Sequence, residues 1–263
     1  MCYDHAAMTL ASHFLLRAQL LREGVLDFEK YPFSLPAIRT LDTIVFNPAV
    51  TFLIGENGTG KSTLLEAIAV NLGLNAEGGS RSFRFSTRSS HSPLHRLLRL
   101  AKGVRRPRDS YFMRAESFFN VATEIERLDS EPAGGSPIIG AYGGRSLHEM
   151  SHGESFLALV ANRFRAGGLY ILDEPEAALS PSRQMALLVK LHQLVEEGTQ
   201  FVIATHSPLL MAYPGATILL LDKSGIAQVK YEATEHFRIS RDFLRNPERF
   251  LANLFKVDGV GEE

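Results

Sequence analysis

Gly55-Glu56-Asn57-Gly58-Thr59-Gly60-Lys61-Ser62 has the spacing G-x-x-x-x-G-K-S, between the apolar run Val50 to Ile54 and a helix-period pattern beginning at Ser62. Leu64, Leu65, Ile68 and Leu72 share one face of that pattern, so the context is strand, glycine-rich turn, helix. Glycines let the backbone wrap until successive N–H groups point into one concavity at the helix start, where a polyphosphate is held best. The spacing predicts nucleotide binding by Gly55, Glu56, Asn57, Gly58, Thr59, Gly60, Lys61, Ser62 and Thr63. Lys61 would reach the β- and γ-phosphates and the Ser62 hydroxyl would ligate Mg²⁺.

Two later runs repeat the same logic. Leu169-Tyr170-Ile171-Leu172-Asp173-Glu174-Pro175 is an apolar strand ending in two carboxylates, at the end of a parallel strand where ligands bind in open α/β sheets. Asp173 fits a Mg²⁺-holding role, and Glu174 is placed to take a proton from an attacking water. Phe201-Val202-Ile203-Ala204-Thr205-His206 is another buried strand with polar residues at its end, and His206 could hydrogen-bond a γ-phosphate. Further strands are predicted at Phe14 to Leu21, Thr43 to Phe46, Tyr111 to Met113 and Thr217 to Leu221, with a helix from Pro181, capped by Ser180, to Val195. Strands alternating with helices imply a mostly parallel sheet covered on both faces. Phe237 to Phe255 reads as an amphipathic helical tail packed on the body.

With these motifs in place, Leu147-His148-Glu149-Met150-Ser151-His152-Gly153-Glu154-Ser155 resembles the signature motif of ABC-type ATPases, L-S-G-G-Q or L-S-G-G-E, followed by a helix. The order phosphate loop, signature, carboxylate strand, Ala177-Ala178-Leu179-Ser180 and His206 is similar to that superfamily over about residues 50 to 221. The terminal extensions look most like small stand-alone ATPases of the SMC-like branch. The resemblance implies a single ABC-type P-loop domain over 1–263, Mg²⁺-dependent ATP hydrolysis, and an ATP-dependent homodimer sandwiching two ATP molecules. It further implies that Ser151 and Gly153 contact the γ-phosphate bound to the partner's Lys61 loop and that Glu174 acts in a composite site. His152 stands where the family has its first signature glycine, and Ser180 where its S-A-L-D motif has Asp. The family's loop glutamine has no counterpart here. Glu116 is an alternative oxygen donor to Mg²⁺, a surface acid being the competing reading, and Tyr31 and Phe33 are the aromatics considered for adenine.

Composition sets the outer bounds. The 263 residues carry 28 Lys+Arg against 29 Asp+Glu, one cysteine and no tryptophan, 45% hydrophobic. That excludes a disulfide framework and a cysteine zinc site, and favours a reducing, cytoplasmic setting. No apolar stretch is long enough to span a bilayer and no secretory signal is read, so no membrane insertion is expected. The formal charge of −1 hides an asymmetry: Arg81 to Arg108 holds nine basic residues and no acid. This window opens a segment, about 76–147, expected to form an inserted basic and helical subdomain. It is a solvated face, a nucleic-acid surface with Phe83 and Phe85 as stacking groups, or a dock for an acidic protein. The process driven by ATP turnover stays open between a switch acting on such a partner, a transporter's nucleotide-binding subunit, and a regulatory or defence ATPase.

Overall fold

The structure, a computed structural model, describes residues 13–79, 92–115, 118–130, 139–140, 144 and 147–256. In chain order its elements are β1 (Leu15–Leu20), α1 (Pro36–Arg39), β2 (Thr43–Val45), β3 (Val50–Ile54), α2 (Lys61–Asn71), α3 (Leu94–Leu97), β4 (Leu98–Lys102) and β5 (Ser110–Arg114). There follow α4 (Phe118–Ser130), α5 (His152–Arg163), β6 (Leu169–Asp173), α6 (Pro181–Glu196), β7 (Gln200–Ala204), α7 (Pro208–Met211), β8 (Thr217–Asp222), β9 (Gly225–Val229), α8 (Glu235–Arg245) and α9 (Pro247–Lys256). The fold is α/β: a six-stranded sheet in the order β5-β6-β7-β3-β8-β9, parallel except for β9, beside a three-stranded antiparallel sheet β2-β1-β4.

The central strands are continuous apolar runs because both of their faces are covered. Val50, Phe52 and Ile54 of β3, Tyr170 and Leu172 of β6, and Phe201 and Ile203 of β7 enter a core shared with α5, α6 and α7. Their neighbours Leu53, Leu169, Ile171, Val202 and Ala204 point the other way, into a second core built with α2 and the antiparallel sheet. The period of two therefore sorts each strand between two layers. Helix α2 lies between the sheets, with Leu64, Leu65, Ala67, Ile68 and Ala69 all buried.

A single side chain staples the N-terminal segment to the main sheet. Gln200, fully buried at the start of β7, accepts from the N–H groups of Phe14 and Leu15 at 3.0 and 2.8 Å and donates to the carbonyls of Leu15 and Asn47 at 2.9 and 2.8 Å. All four bonds go to backbone groups, three of them in a fully buried setting where a polar group needs a partner.

The basic stretch is woven into the body to a greater extent than the sequence implies. Of the expected insert 76–147, β4 pairs antiparallel with β1, and β5 is the parallel edge of the main sheet, in register with β6. In β4 Leu98 is buried and Leu100 half-buried while Arg99 and Lys102 are exposed, so the lysine at its end breaks the period of two. Arg81, Arg84 and Arg88 lie outside the described residues. The C-terminal tail is two helices rather than one, divided at Asn246-Pro247 by the proline. Its packing is partial: no residue of α8 is buried, and Leu244, Leu254 and Phe255 are exposed.

Candidate nucleotide site

The loop after β3 closes only with glycine. Gly55 has φ of 143°, and a Cβ there would lie 2.0 Å from the Leu221 carbonyl oxygen; Gly60, with φ of 107°, is the N-cap of α2. Lys61 follows in the first turn, buried, with Nζ donating to the carbonyls of Gly55 at 2.6 Å and Glu56 at 2.9 Å. The ammonium is thus held by two carbonyls of the loop itself. Burial lowers its pKa, while Glu174, Asp173 and Glu176 pull it back up. Thr59 Oγ1 donates to the Glu56 carbonyl at 2.8 Å, bracing the turn.

Parallel pairing brings the other motif residues to this loop, because β7 lies between β3 and β6 and all three strands end on the same side. Ser62 Oγ donates to Asp173 Oδ1 at 3.1 Å. A hydroxyl and a carboxylate converging from two elements form a hard-oxygen pair of the kind Mg²⁺ takes. Arg114, at the end of β5 and in register with Asp173, braces the same carboxylate: its Nε lies 3.6 Å from Asp173 Oδ2, and its Nη1 donates to Glu66 Oε2 at 2.9 Å. Sequence reasoning passed over Arg114; a cation at the end of the neighbouring strand was the available signal.

Glu174 has φ and ψ of 53°, the sole positive-φ residue besides glycine among the described residues. Holding a glutamate in the left-handed region costs on the order of 1–3 kcal/mol. The turn is fixed by Glu174 N–H donating to Ala204 O at 3.0 Å and Ala177 N–H donating to Glu174 O at 3.1 Å. Its Oε1 lies 3.7 Å from His206 Nε2. His206 is anchored through its backbone N–H, which donates to Glu176 Oε1 at 2.5 Å. Burial, with Lys61 adding to it, lowers the His206 pKa against the opposing pull of Glu174, so the ring is neutral near pH 7. Burial raises the pKa of Glu176. A cavity of about 880 Å³ opens between the phosphate loop, His206, the β8–β9 turn and the start of α8.

The signature residues occupy a different neighbourhood. Ser151 caps α5: its N–H and Oγ both donate to Glu154 Oε2, at 3.0 and 2.8 Å. Arg183 donates to Ser151 Oγ at 3.2 Å and to Glu154 Oε1 at 3.1 Å. Gly153 packs so tightly that a Cβ would lie 2.6 Å from the Ala178 carbonyl oxygen. Ser180 caps α6, accepting from Arg183 N–H at 3.4 Å, a role that suits serine as well as aspartate. Of the aromatics, Phe33 is core, edge-on to Phe28, and so leaves the adenine candidates; Tyr31 is exposed, its hydroxyl 3.4 Å from Thr63 Oγ1. Glu116 and the side chain of His152 lie outside the described residues.

Residues 33–118 match a family described as an AAA domain, and residues 135–212 match one described as "AAA domain, putative AbiEii toxin, Type IV TA system". An uncharacterized ABC transporter ATP-binding protein of Haemophilus influenzae is 29% identical over 184 residues, covering 65% of this chain and 69% of that protein. The ribose import ATP-binding protein RbsA of a Chelativorans species is 29% identical over 199 residues, covering 69% of this chain and 37% of that protein. Among solved structures, MJ1267, an ATP-binding cassette of an ABC transporter, superimposes with a TM-score of 0.50 at 17% identity, covering 89% of this chain and 96% of that one. Fold and phosphate loop together define a P-loop ATPase. Its motif order resembles that of ABC-type ATPases, and the relatives it is similar to are ATP-binding proteins of ABC transporters.

Proposed function

We propose that the chain hydrolyses ATP with Mg²⁺ at two composite sites, each completed by a second copy of the chain. Lys61 exchanges its bonds to the Gly55 and Glu56 carbonyls for phosphate oxygens, and the loop amides hold the rest of the charge. Ser62 and Asp173 hold Mg²⁺, which offsets charge on the β- and γ-phosphates when bound. Glu174 takes the proton of the attacking water, whose oxygen bonds to the γ-phosphorus as the bond to ADP breaks. His206 contacts the γ-phosphate. Tyr31, exposed next to α2, is the aromatic offered to adenine. The supporting observation is the junction of Ser62 with Asp173, beside the left-handed turn at Glu174 whose carboxylate faces His206 at 3.7 Å.

Ser151 and Gly153 pack on Glu154, Arg183 and Ala178, and this arrangement supports their delivery to the partner's phosphate loop in a dimer. Glu174→Gln keeps the shape of the site and removes the base. It is expected to accumulate a dimer in Mg-ATP, read by size exclusion with light scattering. A monomer with ATP demonstrably bound would refute the composite site.

A second reading follows from the names of the relatives: a nucleotide-binding subunit serving transport. Among the described residues no helix is long and apolar enough to cross a membrane, so this reading assigns the passage to a separate partner. In either case the basic window from Arg81 to Arg108 is offered as a surface for a polyanion or an acidic protein; Arg105, Arg106 and Arg108 line one small cavity together with Glu197.

A further inference from the structure

The C-terminal helices enter the nucleotide site through one residue. His236, in the first turn of α8, places Nε2 3.4 Å from Nδ1 of His206, with the ring centroids 5.6 Å apart. On the far side of the same ring, His206 Nε2 faces Glu174 Oε1 at 3.7 Å, beyond hydrogen-bond range, and is buried without a partner, as is His236 Nδ1. The start of α8 is tied to the loop that carries His206. Tyr231 OH donates to Pro208 O at 2.9 Å, and the Tyr231 and Phe237 rings pack at 4.7 Å. Thr234, nearly inaccessible, caps the helix through Phe237 N–H at 3.2 Å. His236 is therefore held in place.

A neutral imidazole has one donor and one acceptor nitrogen, and a bond made at one nitrogen fixes the proton on the other. Burial lowers the pKa of both rings; the charges around them are Lys61, Glu174, Glu176 and Glu235. If His236 Nε2–H donates to His206 Nδ1, the proton of His206 stands on Nε2, aimed at Glu174. The reverse bond would turn a lone pair toward the carboxylate, which is repulsive. One arrangement is thus favoured by the electrostatics of the site.

We propose that His236 is a positioning residue that holds His206 in the Nε2–H form, so that His206 donates toward Glu174 and the γ-phosphate, and that α8 thereby registers what the site contains. The inference rests on the roles given above to His206 and Glu174. The relation runs both ways: a phosphate oxygen that draws Nε2–H forward changes the bond that His236 makes behind it.

The test uses the full chain. Histidine side-chain nitrogen NMR without nucleotide should show His206 with a protonated Nε2 and a bare Nδ1 in the wild type, and a mixture of both tautomers in His236→Ala. His236→Ala should lower kcat about tenfold with KM unchanged, the scale at which an orienting partner acts. That loss should vanish in a His206→Ala background, since the two act as one unit. His236→Gln, which restores a donor and keeps the helix intact, should recover part of the rate and carries the test if His236→Ala does not fold. An unchanged His206 spectrum in both His236 variants, or losses that add in the double variant, would overturn the proposal. If His206→Ala leaves kcat untouched, the role of His206 fails instead, while the tautomer comparison still decides whether the pair exists.

Discussion

The Ser62 hydroxyl donates to Asp173 Oδ1 at 3.1 Å, joining the first turn of α2 to the end of β6 across 111 residues of sequence. Arg114 holds the other oxygen of the same carboxylate from the neighbouring strand. Asp173→Asn should therefore leave the fold intact and lower the ATPase rate by about a hundredfold or more, the scale of losing a charge-stabilising group at the phosphates. The Mg²⁺ dependence of the rate checks this. A variant with the wild-type Mg²⁺ titration would remove Asp173 from the metal site.

Tyr31 is exposed beside Thr63, whereas Phe33 is committed to the core. Stacking of a base on an aromatic ring is worth about 1–3 kcal/mol, or roughly 5- to 150-fold in affinity. Tyr31→Ala should weaken ATP binding within that range, and Tyr31→Phe should not. Equal affinities for ATP in all three proteins, measured by calorimetry, would leave the adenine without this platform.

Gln200 makes four hydrogen bonds to the backbone of the N-terminal sheet and its junction from a fully buried position. Replacing it by Leu strands two N–H groups and two carbonyls, each at roughly 1–3 kcal/mol. The expected loss is about 3–5 kcal/mol, since some of those groups will find water. Urea unfolding measures it; a midpoint equal to wild type would show that the staple is dispensable.

His13, His206 and His236 all have pKa values lowered by burial first. A base depressed in the folded chain binds fewer protons there than when unfolded. Its stabilisation is present above the ordinary histidine value of 6.5 and is lost as pH falls through the lowered values. Glu176, raised by burial, acts oppositely: its contribution is full below 4.5 and lost as pH rises through its raised value. The melting temperature should fall as pH drops below 6.5, and His236→Gln should flatten the fall. Parallel curves for the two proteins would remove His236 from this account.

Much of the site was legible because its chemistry is local. Gly55 to Ser62, Asp173-Glu174 and His206 each combine a strand end with a polar group, and the two-layer sheet follows from runs such as Leu169 to Leu172. Strand β3 falls on its expected boundaries and β6 extends one residue past them. What escaped depends on partners distant in sequence. Strand β4 is a strand because β1 is beside it, and the lysine at its end breaks the period. Arg114 acquires meaning only from its register with Asp173, and Gln200 only from the backbone it finds. His236 looks like a surface residue of an amphipathic helix until α8 is placed against the loop after β7. Ser180 caps α6 through Arg183 N–H, a bond that serine and aspartate can both accept.

The strand order carries a metric consequence. With β7 between β3 and β6, the phosphate loop and the carboxylate turn stand two strand intervals apart, about 10 Å, and His206 rises from the strand between them. The width of the slot is thus a multiple of the inter-strand repeat, set by main-chain hydrogen bonds and not by the size of any side chain lining it. Exchanges among the apolar residues of β3, β6 and β7 that preserve pairing should leave the calibre of the slot unchanged. Catalytic spacing and core composition can therefore drift independently.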